Sequence, residues 1–278
     1  MLREIRTGSL RPPDHIRTRL IAQAKASTNW LASTEAASLQ ASNPWPSDIR
    51  SSKEAFRRLR DSHAVQVALD LHDLPEAVTV AQAAAAAGAQ FIEVGDPLIK
   101  RIGVRAIEHI KRAVPQVSIV AEMMSADWGR DQVTLAAEAG ADVVLLIGPA
   151  STASVAAAVE ASRRLGVPLL LDLPDGRPDQ RWVHAMERTG VDGFAITTNI
   201  DIGVAGPHPL DHARILRSWT RLPVAVSGGF GTADDIILTE DAWDILIVGR
   251  GITDALDPAT AAQQLINHIT SRQPRTTI

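Results

Sequence analysis

The chain has no cysteine among its 278 residues. Disulfides, zinc thiolates and a cysteine nucleophile are therefore excluded. A secretory leader is not expected either. The first twenty residues carry Arg3, Arg6, Arg11, Arg17 and Arg19 and no apolar h-region. No apolar run is long enough to span a bilayer, and the alanine-rich run from Ala81 to Ala87 is too short and too small-sided. A soluble, cytoplasmic protein with no membrane partner is expected. Residues 1–62 hold 11 Lys/Arg against 6 Asp/Glu, a net charge of about +5, while the remainder is about −9. The basic residues are spread out among Ala, Ser and Thr, and no nucleic-acid motif accompanies them. Nucleic acid is not an expected partner.

What is present falls into two textures. Residues 1–62 read as a helical N-terminal extension. A polar start ends at Arg11-Pro12-Pro13, a partly amphipathic helix runs from Asp14 to about Leu39, and Asn43-Pro-Trp-Pro46 breaks it before a second helix capped by Ser47 or Asp48. Residues 63–278 alternate short apolar strands with helices. Strands are predicted over Val65–Leu69, Phe91–Val94, Val117–Ala121, Val143–Ile147, Val167–Leu171, Gly193–Thr197, Pro223–Val226 and Ile245–Val248. Helices are predicted to begin near Leu74, Val104, Trp128, Thr152, Asp179, Leu210, Thr232 and Pro258. Several close on a glycine suited to a helix C-terminus, as in Ala139-Gly140-Ala141-Asp142 and Thr189-Gly190-Val191-Asp192. Eight nearly continuous apolar strands about 25 residues apart indicate a parallel sheet covered on both faces. With no strand left over, a closed (β/α)8 TIM barrel fits better than a doubly wound open sheet, which stays as the alternative.

In such a barrel chemistry collects where the strands end. Four of the predicted strands finish on carboxylates: Asp70, Glu93, Glu122 and Asp172, with Asp127 following Glu122 by one turn. Any one of these could simply cap the next helix. Together they suit a hard cation such as Mg²⁺, which takes oxygen ligands and retains waters. The seventh strand runs into Ser227-Gly228-Gly229-Phe230-Gly231 and the eighth into Gly249-Arg250-Gly251. These are either tight turns or a phosphate cup, since barrels often bind phosphate between those two loops. Glycine lets backbone N–H groups approach an anion, and Arg250 can add a bidentate contact.

These segments resemble the orotidine 5′-phosphate decarboxylase suprafamily, and within it 3-hexulose-6-phosphate synthase and 3-keto-L-gulonate-6-phosphate decarboxylase. The marks are Val67-Ala-Leu-Asp70, Ile92-Glu-Val-Gly-Asp-Pro-Leu-Ile-Lys100, the Ala139–Asp142 helix exit, Ser227-Gly-Gly229 and Val248-Gly-Arg-Gly-Ile252. The resemblance spans about Val65 to Ala262. It implies a barrel, a homodimer with sites shared between chains, and a sugar-phosphate substrate. It implies that Asp70 contacts substrate, that Glu93 and Glu122 bind Mg²⁺, and that Asp127 reaches the partner's site. Asp172 matches the strand 5 acid. The resemblance further implies that Ser227, Gly228, Gly229, Gly249, Arg250 and Gly251 hold the phosphate. Two positions depart from the family pattern: a motif lysine is Met124, and a strand 6 histidine is Thr197. Methionine carries no charge and donates no hydrogen bond, and a threonine hydroxyl does not titrate near pH 7. His208 and His212 lie in or just after the same loop and are the candidates to substitute for that histidine.

The expected function is metal-dependent carbon–carbon lyase or synthase chemistry on a sugar phosphate, of the hexulose-phosphate-synthase type and through an enediolate. Asp70, Glu122, Asp127, Asp172 and Thr197 are the catalytic candidates. Sugar-phosphate decarboxylation, another biosynthetic reaction, and a non-catalytic phosphosugar-binding role are the alternatives.

Overall fold

A computed structural model of the chain describes residues 63–174, 179–198, 208–231, 237 and 241–271. The extension expected over residues 1–62 and the helix expected near Thr232 lie outside these.

Eight parallel strands close into a barrel in sequence order. They are β1 (Ala64–Leu69), β2 (Phe91–Val94), β3 (Ser118–Glu122), β4 (Val143–Ile147), β5 (Leu169–Pro174), β6 (Gly193–Thr197), β7 (Val224–Ser227) and β8 (Ile245–Val248). The closing contact pairs Val65 with Leu246 and Val67 with Val248, so the open-sheet alternative is excluded. Helices α1 (Leu74–Ala87), α2 (Asp96–Ile102), α3 (Arg105–Ala113), α4 (Gly129–Glu138), α5 (Thr152–Leu165), α6 (Gln180–Thr189), α7 (Pro209–Arg217), α8 (Arg250–Thr253) and α9 (Pro258–Thr270) connect them.

Strand alternation divides the core in two. One set of side chains packs the barrel interior: Ala64 and Ala68, Phe91, Val120, Val143 and Leu145, Leu170, Ala195, Ala225, Ile245 and Ile247. Their strand neighbours face the helices, where Leu69, Ile92, Leu146, Leu171 and Phe194 are completely buried. Residues i and i+2 share a face of a strand. The inner face therefore continues upward from Ala68 to Asp70, Phe91 to Glu93, Val120 to Glu122, Leu170 to Asp172, Ala195 to Thr197, Ala225 to Ser227 and Ile247 to Gly249.

The opposite end of the barrel is closed by a repeated polar device. The Val65 N–H donates to Gln90 Oε1 at 2.8 Å, Ile119 N–H to Asp142 Oδ2 at 2.7 Å, Leu169 N–H to Asp192 Oδ2 at 3.0 Å and Val224 N–H to Asp244 Oδ2 at 2.8 Å. The residue before each even strand thus satisfies a backbone donor at the start of the preceding odd strand. Such a donor is costly to leave bare. Lys111 neutralises Asp142 at 2.7 Å, and Arg217 pairs with Asp244.

Several boundaries differ from the sequence reading. β3, β5 and β7 end later than expected, carrying Glu122, Asp172 and Ser227 into the ladder. Helix α2 is an addition to the expected elements. Asp96 and Pro97 supply an acidic first turn and a proline suited to that position, and Gly103 at φ 84° separates α2 from α3. Trp128 does not open α4 but caps it, in a left-handed conformation at φ 58°.

Candidate active site

Asp70, Glu93 and Glu122 converge at the upper rim. Each offers a carboxylate oxygen, and these oxygens lie within 4.8 Å of one another. Strand register accounts for this. Glu93 sits beside Ala68 on β1 and Val120 on β3, one step below Asp70 and Glu122 on the same inner face. Glu93 is buried, with Gln66 donating to it from the barrel interior. Glu122 is half-buried and accepts the Asp96 N–H at 2.7 Å. Asp70 is the most open of the three, yet its flanks are walled by backbone. A Cβ on Gly95 would overlap Asp70 Oδ1 and stand 3.0 Å from Leu69 O, and a Cβ on Gly249 would stand 3.4 Å from Asp70 Oδ2.

Crowding of carboxylates shows in their acidity. Burial, then Glu122 and Asp70, push Glu93 well above the usual carboxylate range. Burial, then Asp70, lift Glu122 to about 8, against the Asp96 N–H bond that favours its ionised form. Asp70 is raised by burial and by Asp96, with Arg250 opposing. Like charges this close favour protonation unless a cation intervenes. Three oxygen donors of this kind, with one face open to the rim, fit a hard divalent cation that keeps waters.

Asp172 stands beyond the cluster on β5, fully out of solvent. Burial raises it to about 7, and the Thr197 hydroxyl, which donates to its Oδ1 at 2.7 Å, partly counters this. Thr197 is in turn the register partner of Ser227 on β7. Gly228 and Gly229 follow at φ 129° and 73°. A Cβ on Gly251 would stand 2.8 Å from Phe230 O, so the β7 and β8 turns lie against each other. Arg250 opens α8 there, and its field reaches Asp70. The glycine turns and the carboxylates thus border one another across Gly249.

The remaining candidates sit differently. Asp127 is exposed, and its Oδ1 accepts the Trp128 N–H at 2.7 Å and the Ser154 hydroxyl at 3.2 Å. Met124 is half-buried at φ 41°, an uncommon conformation for a residue other than glycine. Lys100 is tied to Asp96 at 2.8 Å. His212 is buried in α7. His208 accepts the Leu210 N–H through Nδ1 at 3.3 Å and packs edge-on against Phe230. Gln66, Asp96 and Thr198 are site residues that the sequence reading does not single out. Gln66 left a readable signal, as the one polar residue on the inward stripe Ala64-Gln66-Ala68.

Known proteins resemble the chain in sequence and in fold. The family described as "Orotidine 5′-phosphate decarboxylase / HUMPS family" matches residues 63–265. A 3-hexulose-6-phosphate synthase of Staphylococcus epidermidis is 33% identical over 203 residues, covering 72% of this chain and 95% of that protein. The crystal structure of 3-hexulose-6-phosphate synthase from Salmonella typhimurium superposes with a TM-score of 0.71 at 29% identity, covering 76% of this chain and 100% of that one. A crystal structure of KGPDC from Streptococcus mutans gives a TM-score of 0.70 at 26% identity, covering 76% of this chain and 98% of the other.

Proposed function

The chain belongs to the orotidine 5′-phosphate decarboxylase / HUMPS family, and from that premise we propose that it is a metal-dependent lyase or synthase that makes or breaks a carbon–carbon bond beside the carbonyl of a sugar phosphate. An enzymatic, lyase-type role follows from its homology to the synthases and decarboxylases of that family. The observation that carries the finer reading is the shared border at Gly249, which lies against the Asp70 carboxylate on one side and continues into the Arg250 turn on the other. A phosphate gripped by Ser227–Gly229 and Gly249–Gly251 would hold the sugar's carbonyl end over Asp70, Glu93 and Glu122.

Glu93 and Glu122, with Asp70 beside them, are the residues that would hold Mg²⁺. When bound, the cation would polarise the hydroxyketone oxygens and offset developing negative charge. The protein's own share is orientation and proton handling. Asp70 fixes a substrate hydroxyl. Asp172, set near neutrality by burial and steadied by Thr197, exchanges a proton at physiological pH. It takes up work that neither Thr197 nor Met124 can do, one having no titratable group and the other no charge. Asp127, whose Oδ1 is held by its own chain, presents its second oxygen to the partner of a homodimer. Decarboxylation of a keto-sugar phosphate is the second reading, favoured by the likeness to the decarboxylase from Vibrio cholerae, at 26% identity and a TM-score of 0.67.

The test is the exchange of a carbon-bound proton beside the carbonyl of a pentulose phosphate for deuterium, followed by NMR. Exchange that requires both protein and Mg²⁺ is expected. Absence of exchange with every pentulose phosphate tried, alongside turnover of a keto acid phosphate, would shift the assignment to decarboxylation.

A further inference from the structure

Thr197 and Thr198 are adjacent hydroxyls at the end of β6, and only one is satisfied. Thr197 donates to Asp172 at 2.7 Å. Among the described residues the Thr198 hydroxyl oxygen, shielded from solvent, has no hydrogen-bond partner. A buried hydroxyl left this way costs about 1–3 kcal/mol, and orphaned polar atoms at a site call for an explanation.

Its surroundings supply one. The Thr198 N–H donates to Ser227 O at 3.2 Å, tying the residue to the start of the glycine turn. Its side chain lies directly against Gly228. A Cβ there would overlap Thr198 Oγ1 and stand 2.5 Å from Thr198 Cβ. Gly228 is thus glycine for two reasons, its φ of 129° and the threonine that occupies the side-chain space. By contrast, among the described residues nothing stands within 4 Å of where a Gly229 Cβ would be, so among them the turn is packed on the Thr198 side and open beyond it.

We infer that Thr198 is a binding residue of this turn, and that its hydroxyl donates to a phosphate-type oxyanion seated against Ser227–Gly229. The inference rests on the reading of the β7 and β8 turns as an anion site, and it adds a side-chain donor from β6 to them. The orphaned hydroxyl is the protein's standing cost for keeping that donor beside the turn before the ligand arrives. A change of χ1 well, about 120°, would redirect it.

The experiment measures binding of inorganic phosphate, and then of a pentulose phosphate, to full-length wild type, T198V and T198S by thermal shift and calorimetry. Valine keeps the shape and removes the hydroxyl, whereas serine keeps the hydroxyl. T198V is expected to melt at the wild-type temperature or above without ligand, because the unsatisfied group is gone. It is expected to bind phosphate about tenfold or more weakly, as befits a lost hydrogen bond to a charged group. T198S should stay within about threefold of wild type, on the same reasoning. T198V binding phosphate as wild type does would overturn the inference, as would equal losses in T198V and T198S. Failure of wild type itself to bind either ligand would sink the anion-site reading and this inference with it. Should T198V fail to fold, T198A carries the same comparison.

Discussion

At the scale of single residues, Glu122 concentrates the chemistry. Its carboxyl is lifted to about 8, and those of Glu93 and Asp172 are raised too. Each folded value lies above the ordinary one, so the folded chain holds more protons than the unfolded chain between the two. Stability without a divalent cation should therefore fall as pH rises from about 4.5 toward 8. Mg²⁺ should reverse the trend, because binding requires the ionised carboxylates and releases their protons. Urea unfolding at pH 5.5 and pH 8 would check this. E122Q should flatten the pH slope and shrink the Mg²⁺ stabilisation at pH 8, and an E122Q protein as responsive to Mg²⁺ as wild type would remove Glu122 from the site. The sequence makes these acids legible as strand ends. It does not reveal Thr198, whose significance depends on lacking a partner among the described residues and on abutting Gly228 at the end of the neighbouring strand. Neither property is written in a sequence.

At the scale of elements, alternation along the strands already places the candidate acids on the inward face. Ala68 to Asp70, Phe91 to Glu93 and Leu170 to Asp172 are readable as i, i+2 pairs. Helix α2 escapes the sequence reading because Gly95-Asp-Pro97 can open a turn as readily as a helix, and the fully buried Leu98 anchors the helix. The Asp142 and Asp192 helix exits are visible as a pattern, but their purpose is not. The structure shows that they hold backbone donors of β3 and β5 at the end of the barrel away from the site. D192A should accordingly lower unfolding free energy by about 1–3 kcal/mol while leaving phosphate affinity unchanged. A matching loss of phosphate binding would mean that the two ends of the barrel are coupled in a way this division of labour does not allow.

At the scale of the whole molecule, closure between β1 and β8 is what makes a site possible. It brings Asp70 at the end of β1 beside Gly249 at the end of β8, about 180 residues apart in sequence. In the sequence, closure follows only from the count of eight strands, whereas the ladder between β1 and β8 shows it directly. Among the described residues no helix is long and apolar enough to cross a membrane. The central claim is that one rim holds both a cation and a sugar phosphate. Two ligands that share a site and contact each other must alter each other's affinity equally. Calorimetric titration of Mg²⁺ with and without a saturating pentulose phosphate measures this most directly. The account predicts that Mg²⁺ binds at least about fivefold more tightly when the sugar phosphate is present, and identical Mg²⁺ affinities in the two titrations would contradict it.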